Sequence, residues 1–281
     1  MSDAVVIGSG PNGLAAAIRL AEAGRSVVVL EASDRPGGAV RTEELTLPGF
    51  HHDVFSSVYP AGAASPVFGR MPLADHGLEW VHPAACYATP LPDDRPAPVL
   101  YRDVAETVSS LNATSAGDGD AWAEFATPYL DAWPALRATM LAGFPPVGGP
   151  LKLLRSMGPL GLAGFTRLLP ETSEHLTKRL FAGDGARAWL HGSAMHGDTP
   201  PGRPGSAIAA AYLNLLGHAV GWPSPRGGAG RLADALVGYL ASLGGEVRTG
   251  ARVESITSSG GRATGETIAG GERIAASTVN A

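Results

Sequence analysis

This 281-residue chain predicts an α/β fold built on a parallel sheet and interrupted by a mainly helical region. Three observations carry that prediction. Residues 4–31 run as an apolar stretch, a glycine-rich turn, an amphipathic helical stretch and a second apolar stretch, the order of a βαβ unit. From Asp118 to about Val220 the apolar spacing turns helical. After Arg226 one more helix leads into short alternating runs between glycine turns, the pattern of strands.

The first unit is expected over residues 1–75, and its turn reads Gly8-Ser9-Gly10-Pro11-Asn12-Gly13. Gly8 allows the tight turn out of the strand, Gly10 lets the backbone approach a pyrophosphate, and Gly13 lets the helix pack closely on the strand. Pro11 and Asn12 form the helix tip, where the N-terminus faces phosphate charge. Glu31 follows Gly13 by 18 residues, at the end of the second strand, with Ala32 beside it. A carboxylate there accepts hydrogen bonds from ribose hydroxyls. A bare GxGxxG pattern can equally be a ligand-free turn. Strand, helix, second strand and terminal acid in register make dinucleotide binding the reading. Glu31 suits NAD or FAD and would repel the 2′-phosphate of NADP.

Next comes Asp34-Arg35-Pro36-Gly37-Gly38-Ala39-Val40-Arg41-Thr42. A Gly-Gly step offers backbone N–H groups a second close approach to phosphate, and arginine pairs with phosphate bidentately. Standing alone, the stretch would also suit a solvated turn.

With these residues in place, the sequence EASDRPGGAVRTEELTLPGFHHDVFSSVYP (31–60) resembles the opening of a superfamily of FAD-dependent oxidoreductases. That superfamily includes phytoene desaturases, carotenoid isomerases and flavin amine oxidases. The likeness is greatest to the phytoene-desaturase-like branch, which contains pyridine nucleotide-disulphide oxidoreductase domain-containing protein 2. The resemblance implies a Rossmann-like FAD-binding domain of glutathione-reductase type, a parallel sheet with a three-stranded β-meander. It also implies an inserted, mainly helical substrate or cap domain. Hydride would pass between an apolar small-molecule substrate and FAD. The family roles fall on Gly8, Gly10, Gly13, Gly37 and Gly38 at the pyrophosphate, with Arg35 beside them, and on Glu31 at the adenosine ribose. Many members place arginine directly after the Gly-Gly pair; here Ala39 stands there, and Arg41 is the phosphate or flavin contact. Val253 matches the adenine-side residue, which acts through its main chain.

Composition narrows the function further. A formal charge of −5 without a basic tail argues against nucleic acid. The apolar run begins by Ala4, so no cleavable leader is expected, and the longest uncharged, proline-free run, Gly205–Trp222, carries Ser206, Asn214 and His218. It suits a buried helix better than a membrane span, which makes the cytoplasm the expected location. Cys86 is the only cysteine, which excludes an intramolecular disulphide, a dithiol relay and a cysteine-rich metal site.

Residues 76–225 are expected to form the substrate or cap region. Strand-like pieces in 78–111 (LEWVH, APVLYR) begin a substrate-side sheet, and helices follow. The stretch 132–170 is apolar, and its only charges are Arg137, Lys152, Arg155 and Arg167. Such a segment can lie on an anionic membrane surface, cover an apolar substrate cavity, or pack on the core. His51, His52 and Asp53 invite a metal reading, but adjacent residues on an extended segment point to opposite faces. A flavin-adjacent or structural role is expected for them. His191 and His196, five apart, suit packing or hydrogen bonding. No catalytic acid or base emerges. The amine-oxidase alternative would need a flavin-side lysine, and Lys152 and Lys178, the only lysines, both fall in the cap.

The last unit, 226–281, should hold a helix, then a strand over EVRTGARVESI, and a meander at 252–258, 262–268 and 272–279. Family members continue with a segment containing a Gly-Asp pair. The pairs here, at 117–118, 119–120, 183–184 and 197–198, all precede the adenine-side strand. The resemblance therefore spans only about half of a member, and the C-terminal part of the fold is expected to be missing. A second chain supplying it is a candidate partner, and the chain alone is expected to hold FAD weakly or not at all.

Overall fold

The computed structural model describes residues 2–92, 94–141, 147–197 and 199–281. Residues 142–146 of the apolar stretch and the Asp198 of the last Gly-Asp pair lie outside them. The chain divides into two units, one running to Val81 and resuming at Pro223–Ala281, the other covering His82–Trp222.

The first unit opens with β1 (Ser2–Ile7), α1 (Pro11–Glu22) and β2 (Val27–Leu30). Ala4, Val5 and Val6 are each almost fully buried, because β1 is covered on both faces and so shows no alternation. In α1, Leu14, Ala17, Ile18 and Ala21 turn inward at helical spacing. Pro11 occupies the first turn, where its missing N–H leaves nothing unpaired. A hairpin follows, β3 (Thr42–Glu44) with β4 (His51–Asp53), then the short α2 (Pro60–Ala63) and β5 (Trp80–Val81).

The second unit begins with the antiparallel pair β6 (Ala85–Ala88) and β7 (Val99–Tyr101). Helices α3 (Val104–Asn112), α4 (Asp118–Asp131), α5 (Trp133–Met140) and α6 (Gly148–Leu168) come next. They are followed by α7 (Ser173–Leu180), α8 (Asp184–Ala194) and α9 (Ser206–Val220). Trp122 and Trp189 sit fully buried at its centre, edge to face with ring centroids 5.0 Å apart. The Tyr87 hydroxyl ties β6 to two helices, with the Ser193 Oγ at 2.6 Å and the Asn214 Oδ1 at 2.7 Å. Asn214 Nδ2 donates in turn to Ser193 Oγ at 2.9 Å. Among the described residues, no helix is long and apolar enough to cross a membrane.

The chain then returns to the first unit with β8 (Ser224–Pro225), α10 (Gly230–Ser242) and β9 (Glu246–Arg248). It ends in β10 (Val253–Ser259), β11 (Arg262–Ile268) and β12 (Arg273–Asn280). The main sheet has the order β10-β11-β12-β1-β2-β9. Strands β12, β1, β2 and β9 pair in parallel, whereas β10, β11 and β12 form an antiparallel meander. One face packs Val6, Leu14, Ile18 and Val29 against Leu232, Leu236 and Leu240 of α10. The other buries Val5, Leu30, Ala251, Ile268 and Ala276.

Two expectations need correction. EVRTGARVESI is not one strand: Gly250 turns with φ 65, and the Gly250 and Ala251 amides donate to Ser33 O and Glu31 O, both at 2.8 Å. Those bonds end β9 beside β2 and start β10 in the meander. LEWVH likewise does not begin a substrate-side sheet. Its Trp80–Val81 pairs with Ser224–Pro225, which keeps residues 76–81 and 223–225 in the first unit rather than between the 76 and 225 boundaries expected for the cap.

Glu266, on β11, is fully buried, and neither carboxylate oxygen has a hydrogen-bond partner. Burial pushes its carboxyl above the usual 4.5. Above 4.5 the unfolded chain therefore releases a proton that the folded chain keeps, and stability falls as pH rises through the folded value. Thermal denaturation from about pH 5 to about pH 8 should show this decline, and Glu266→Gln should flatten it. An unchanged slope in the variant would contradict the assignment. In the second unit, Tyr87→Phe leaves Ser193 and Asn214 short of a partner. It should lower the unfolding free energy by about 1–3 kcal/mol in urea titrations.

Candidate nucleotide-binding site

The turn between β1 and α1 is shaped by what its glycines leave open and what they let touch. A Cβ at Gly10 would meet nothing within 4 Å, so the space over the helix tip is free. A Cβ at Gly13 would lie 2.1 Å from Gly8 O, so only glycine lets α1 start this close to the strand. Gly10 is the N-cap of α1, and no side chain caps that end. The first-turn amides beside Pro11 and Asn12 therefore face the open space, with the positive end of the helix dipole behind them. The Gly-Gly pair leans on the same turn. Gly37 N donates to Ser9 O at 3.1 Å, and a Cβ on Gly38 would come within 3.1 Å of Gly10 Cα.

Glu31 stands at the end of β2, only 8 % exposed. Its Oε2 accepts from Ser9 N at 2.9 Å and from Ser9 Oγ at 2.6 Å, and its Oε1 accepts from Ser33 N at 2.8 Å. Burial pushes the carboxyl up, but the bonds from Ser9 and Ser33 outweigh it and hold it below the usual carboxylate range. A carboxylate has about four acceptor sites, so the three donors present leave it room for about one ribose hydroxyl. Ala32, next in the chain, is exposed. Glu31 N donates to Arg248 O at 2.9 Å, and the residue 250 and 251 amides bond back to residues 33 and 31. This lacing brings the start of β10, and hence Val253, to the sheet end that holds Glu31. Val253 itself is half-buried against the cluster of Val5 and Leu30.

The two arginines differ. Arg35 is exposed, whereas Arg41 is half-buried and its Nε is enclosed without a partner. Arg41 Nη1 lies 3.5 Å from Glu43 Oε1, and the guanidinium sits 5.9 Å from the centre of the Phe55 ring. Arg35 and Arg41 join Arg231, Gly227 and Gly230 around a cavity of about 570 Å³, which Glu43 and Asp234 also line. Its volume is in the range of small-molecule sites. Three guanidinium groups with an orphaned Nε suit an anionic ligand.

Two residues hold this wall: Asp53, for which the sequence suggested a flavin-adjacent or structural role, and Thr42, which it did not single out. Thr42 Oγ1 donates to Asp53 Oδ1 at 2.6 Å and accepts from Gly230 N at 2.9 Å, while Asp53 Oδ1 also accepts from Ala229 N at 2.8 Å. Together they clamp the hairpin to the start of α10. Their partnership comes from the register of the hairpin, Thr42 opposite Asp53, which no spacing signal announces. His52 is engaged by Thr46 Oγ1 at 2.8 Å, and His51 lies 3.8 Å from Glu44. Among the described residues no three His, Cys, Asp or Glu groups could share a metal ion. In the second unit His191 bonds Ser173 and Thr177, at 3.3 and 3.2 Å, and His196 bonds Gly192 O.

The close contacts imply a stability test. Gly13→Ala drives a methyl into a backbone oxygen and should cost about 3 kcal/mol or more, a loss confined to changes of this kind. Gly10→Ala meets open space and should leave the melting temperature within about 2 °C of wild type. Equal destabilisation of both variants would refute this geometry.

Residues 12–279 match the family model described as flavin containing amine oxidoreductase. The pyridine nucleotide-disulfide oxidoreductase domain-containing protein 2 of Rattus norvegicus is 31% identical over 97% of this chain and 51% of its own length. The hydroxyneurosporene desaturase of Cereibacter sphaeroides is 31% identical over 97% of this chain and 54% of its own. The solved structure of an oxidoreductase from Methanosarcina mazei superposes with a TM-score of 0.63 at 18% identity, over 98% of this chain and 57% of that one. The chain thus spans about half the length of the curated relatives it matches. It belongs to the family of flavin-containing amine oxidoreductases, with FAD as its cofactor.

Proposed function

We propose that this chain supplies the FAD-binding part of an oxidoreductase that takes hydride from an apolar small-molecule substrate. The first unit is read as a Rossmann-like domain of glutathione-reductase type. The parallel run β12-β1-β2-β9 and the meander β10–β12 support that. The observation that carries the reading is the approach of Gly38 to Gly10 over an uncapped helix tip, with a deprotonated Glu31 alongside.

The residues present fit FAD. The α1 amides and the Gly37–Gly38 turn would hold the pyrophosphate, and Glu31 would hold the adenosine ribose through its remaining acceptor site. Val253 would face the adenine through its backbone. Arg35 and Arg41 would balance the phosphate charge. When bound, the flavin supplies the hydride acceptor, which explains why no triad or paired carboxylates need be found in the chain. The similarity to a hydroxyneurosporene desaturase supports an apolar substrate.

A second reading concerns completeness. The relatives extend to about twice the matched length. The chain would then act only with the remainder of the family fold, in the same polypeptide or in a partner chain.

Absorbance spectroscopy after gel filtration tests both readings. Purified 281-residue protein mixed with FAD should retain little flavin. Co-expression with a polypeptide matching the remainder of the relatives should retain it stoichiometrically. In that complex Gly10→Ala should lower flavin occupancy at least about tenfold, the effect of about 1.4 kcal/mol, without lowering the melting temperature. Tight flavin on the chain alone would sink the second reading. No flavin in the complex would sink the first.

A further inference from the structure

The long helix α6 carries a two-part surface that its packing does not use. A break at Gly158 (φ 72, ψ −179) divides it into two legs. In the first leg Leu153 is fully buried, and Leu151 and Arg155, at i and i+4, lie on the opposite, exposed side. In the second leg Phe165 and Leu168 turn inward. Leu160, Ala163 and Arg167 lie outward at i, i+3 and i+7, with Leu160 87% exposed. Val147 and Leu169, at the two ends, are 66% and 47% exposed, and Lys152 is exposed beside Leu151. No Asp or Glu occurs anywhere in 132–170.

We propose that this face of α6 docks the protein on an anionic lipid surface, with the leucines entering the headgroup boundary and Lys152, Arg155 and Arg167 meeting lipid phosphates. Alternating apolar and cationic side chains without an acid match such a surface in both hydrophobicity and charge. Long cationic side chains can lay their stems along the apolar layer and keep their charge at its edge. The chain as a whole carries −5 and would be repelled, so the attraction must be local to this face. The helix is long enough at 21 residues but is broken at Gly158 and not apolar enough to span the bilayer, so it would lie in the interface.

Vesicle flotation with the full 281-residue chain tests this. Vesicles of phosphatidylcholine alone are compared with vesicles containing about 30% phosphatidylglycerol, at low salt and at about 0.5 M NaCl, where surface charge is screened. The expected result is flotation with the anionic vesicles only, lost at high salt. Leu160→Asp and Arg155→Glu should each reduce it several-fold, whereas Lys178→Glu, on α7, should leave it unchanged. Leu160 is mostly exposed, so its replacement should not alter the circular dichroism spectrum. Equal flotation with both lipids, or undiminished flotation of Leu160→Asp, would overturn the proposal. So would a dimer that Leu160→Asp dissolves without any vesicle binding, because the face would then belong to a second copy of the chain.

Discussion

The first unit depends on the bond between the Glu31 carboxylate and Ser9. It joins the end of one strand to the turn after the strand beside it, through the Ser9 amide at 2.9 Å and its hydroxyl at 2.6 Å. The Glu31 backbone reaches the opposite way, donating to Arg248 O and accepting from Ala251 N. One residue therefore sets the spacing of the β1–α1 turn, the end of β2 and the β9–β10 connection. A charge this buried would oppose folding if it were unpaired. Three donors around it turn that liability into a constraint on position.

The surrounding site is made almost entirely of backbone. Its shape comes from two glycine turns in contact and a helix tip that no side chain caps. A side chain at Gly38 would have to push Gly10 away, and one at Gly13 would push Gly8 away. Such a cradle would recognise phosphate by geometry rather than by a charged residue reaching toward it. The arginines form a separate wall, held by Thr42 and Asp53 on the amides of α10. This division suits a cofactor that brings its own chemistry, because the protein must then position and shield rather than react.

What could be read in the sequence, and what could not, follows from the range of the interactions. The βαβ start is local: apolar runs, a glycine turn and a terminal acid lie within 28 residues, and each has a steric or electrostatic reason. The meander is also local, since its turns are marked by glycine pairs. The split of 246–256 was hidden because it depends on bonds from Gly250 and Ala251 to residues more than two hundred positions earlier. The pairing of Trp80–Val81 with Ser224–Pro225 was hidden for the same reason. Thr42 looks ordinary in the sequence and Asp53 stands out only beside two histidines; the hairpin register makes the two a clamp.

The same unit shows how environment, not residue type, decides what a carboxyl does. Glu31 and Glu266 are both nearly inaccessible, yet they shift in opposite directions. Burial alone raises both. At Glu31 three hydrogen-bond donors favour the anion strongly enough to reverse that effect, and at Glu266 no donor is present. The two therefore limit the unit from opposite sides of the pH scale. The contribution of Glu31 is lost as pH falls through its lowered value, because the folded state must then take up a proton on a group that its donors hold charged. The strain at Glu266 grows as pH rises through its raised value, because the folded state must then lose a proton it has no means of replacing. Of the two, only the Glu31 charge is bonded to the glycine turn between β1 and α1, through Ser9. The lower limit thus belongs to the turn that Glu31 holds, and the upper limit to the buried side of the meander strand β11.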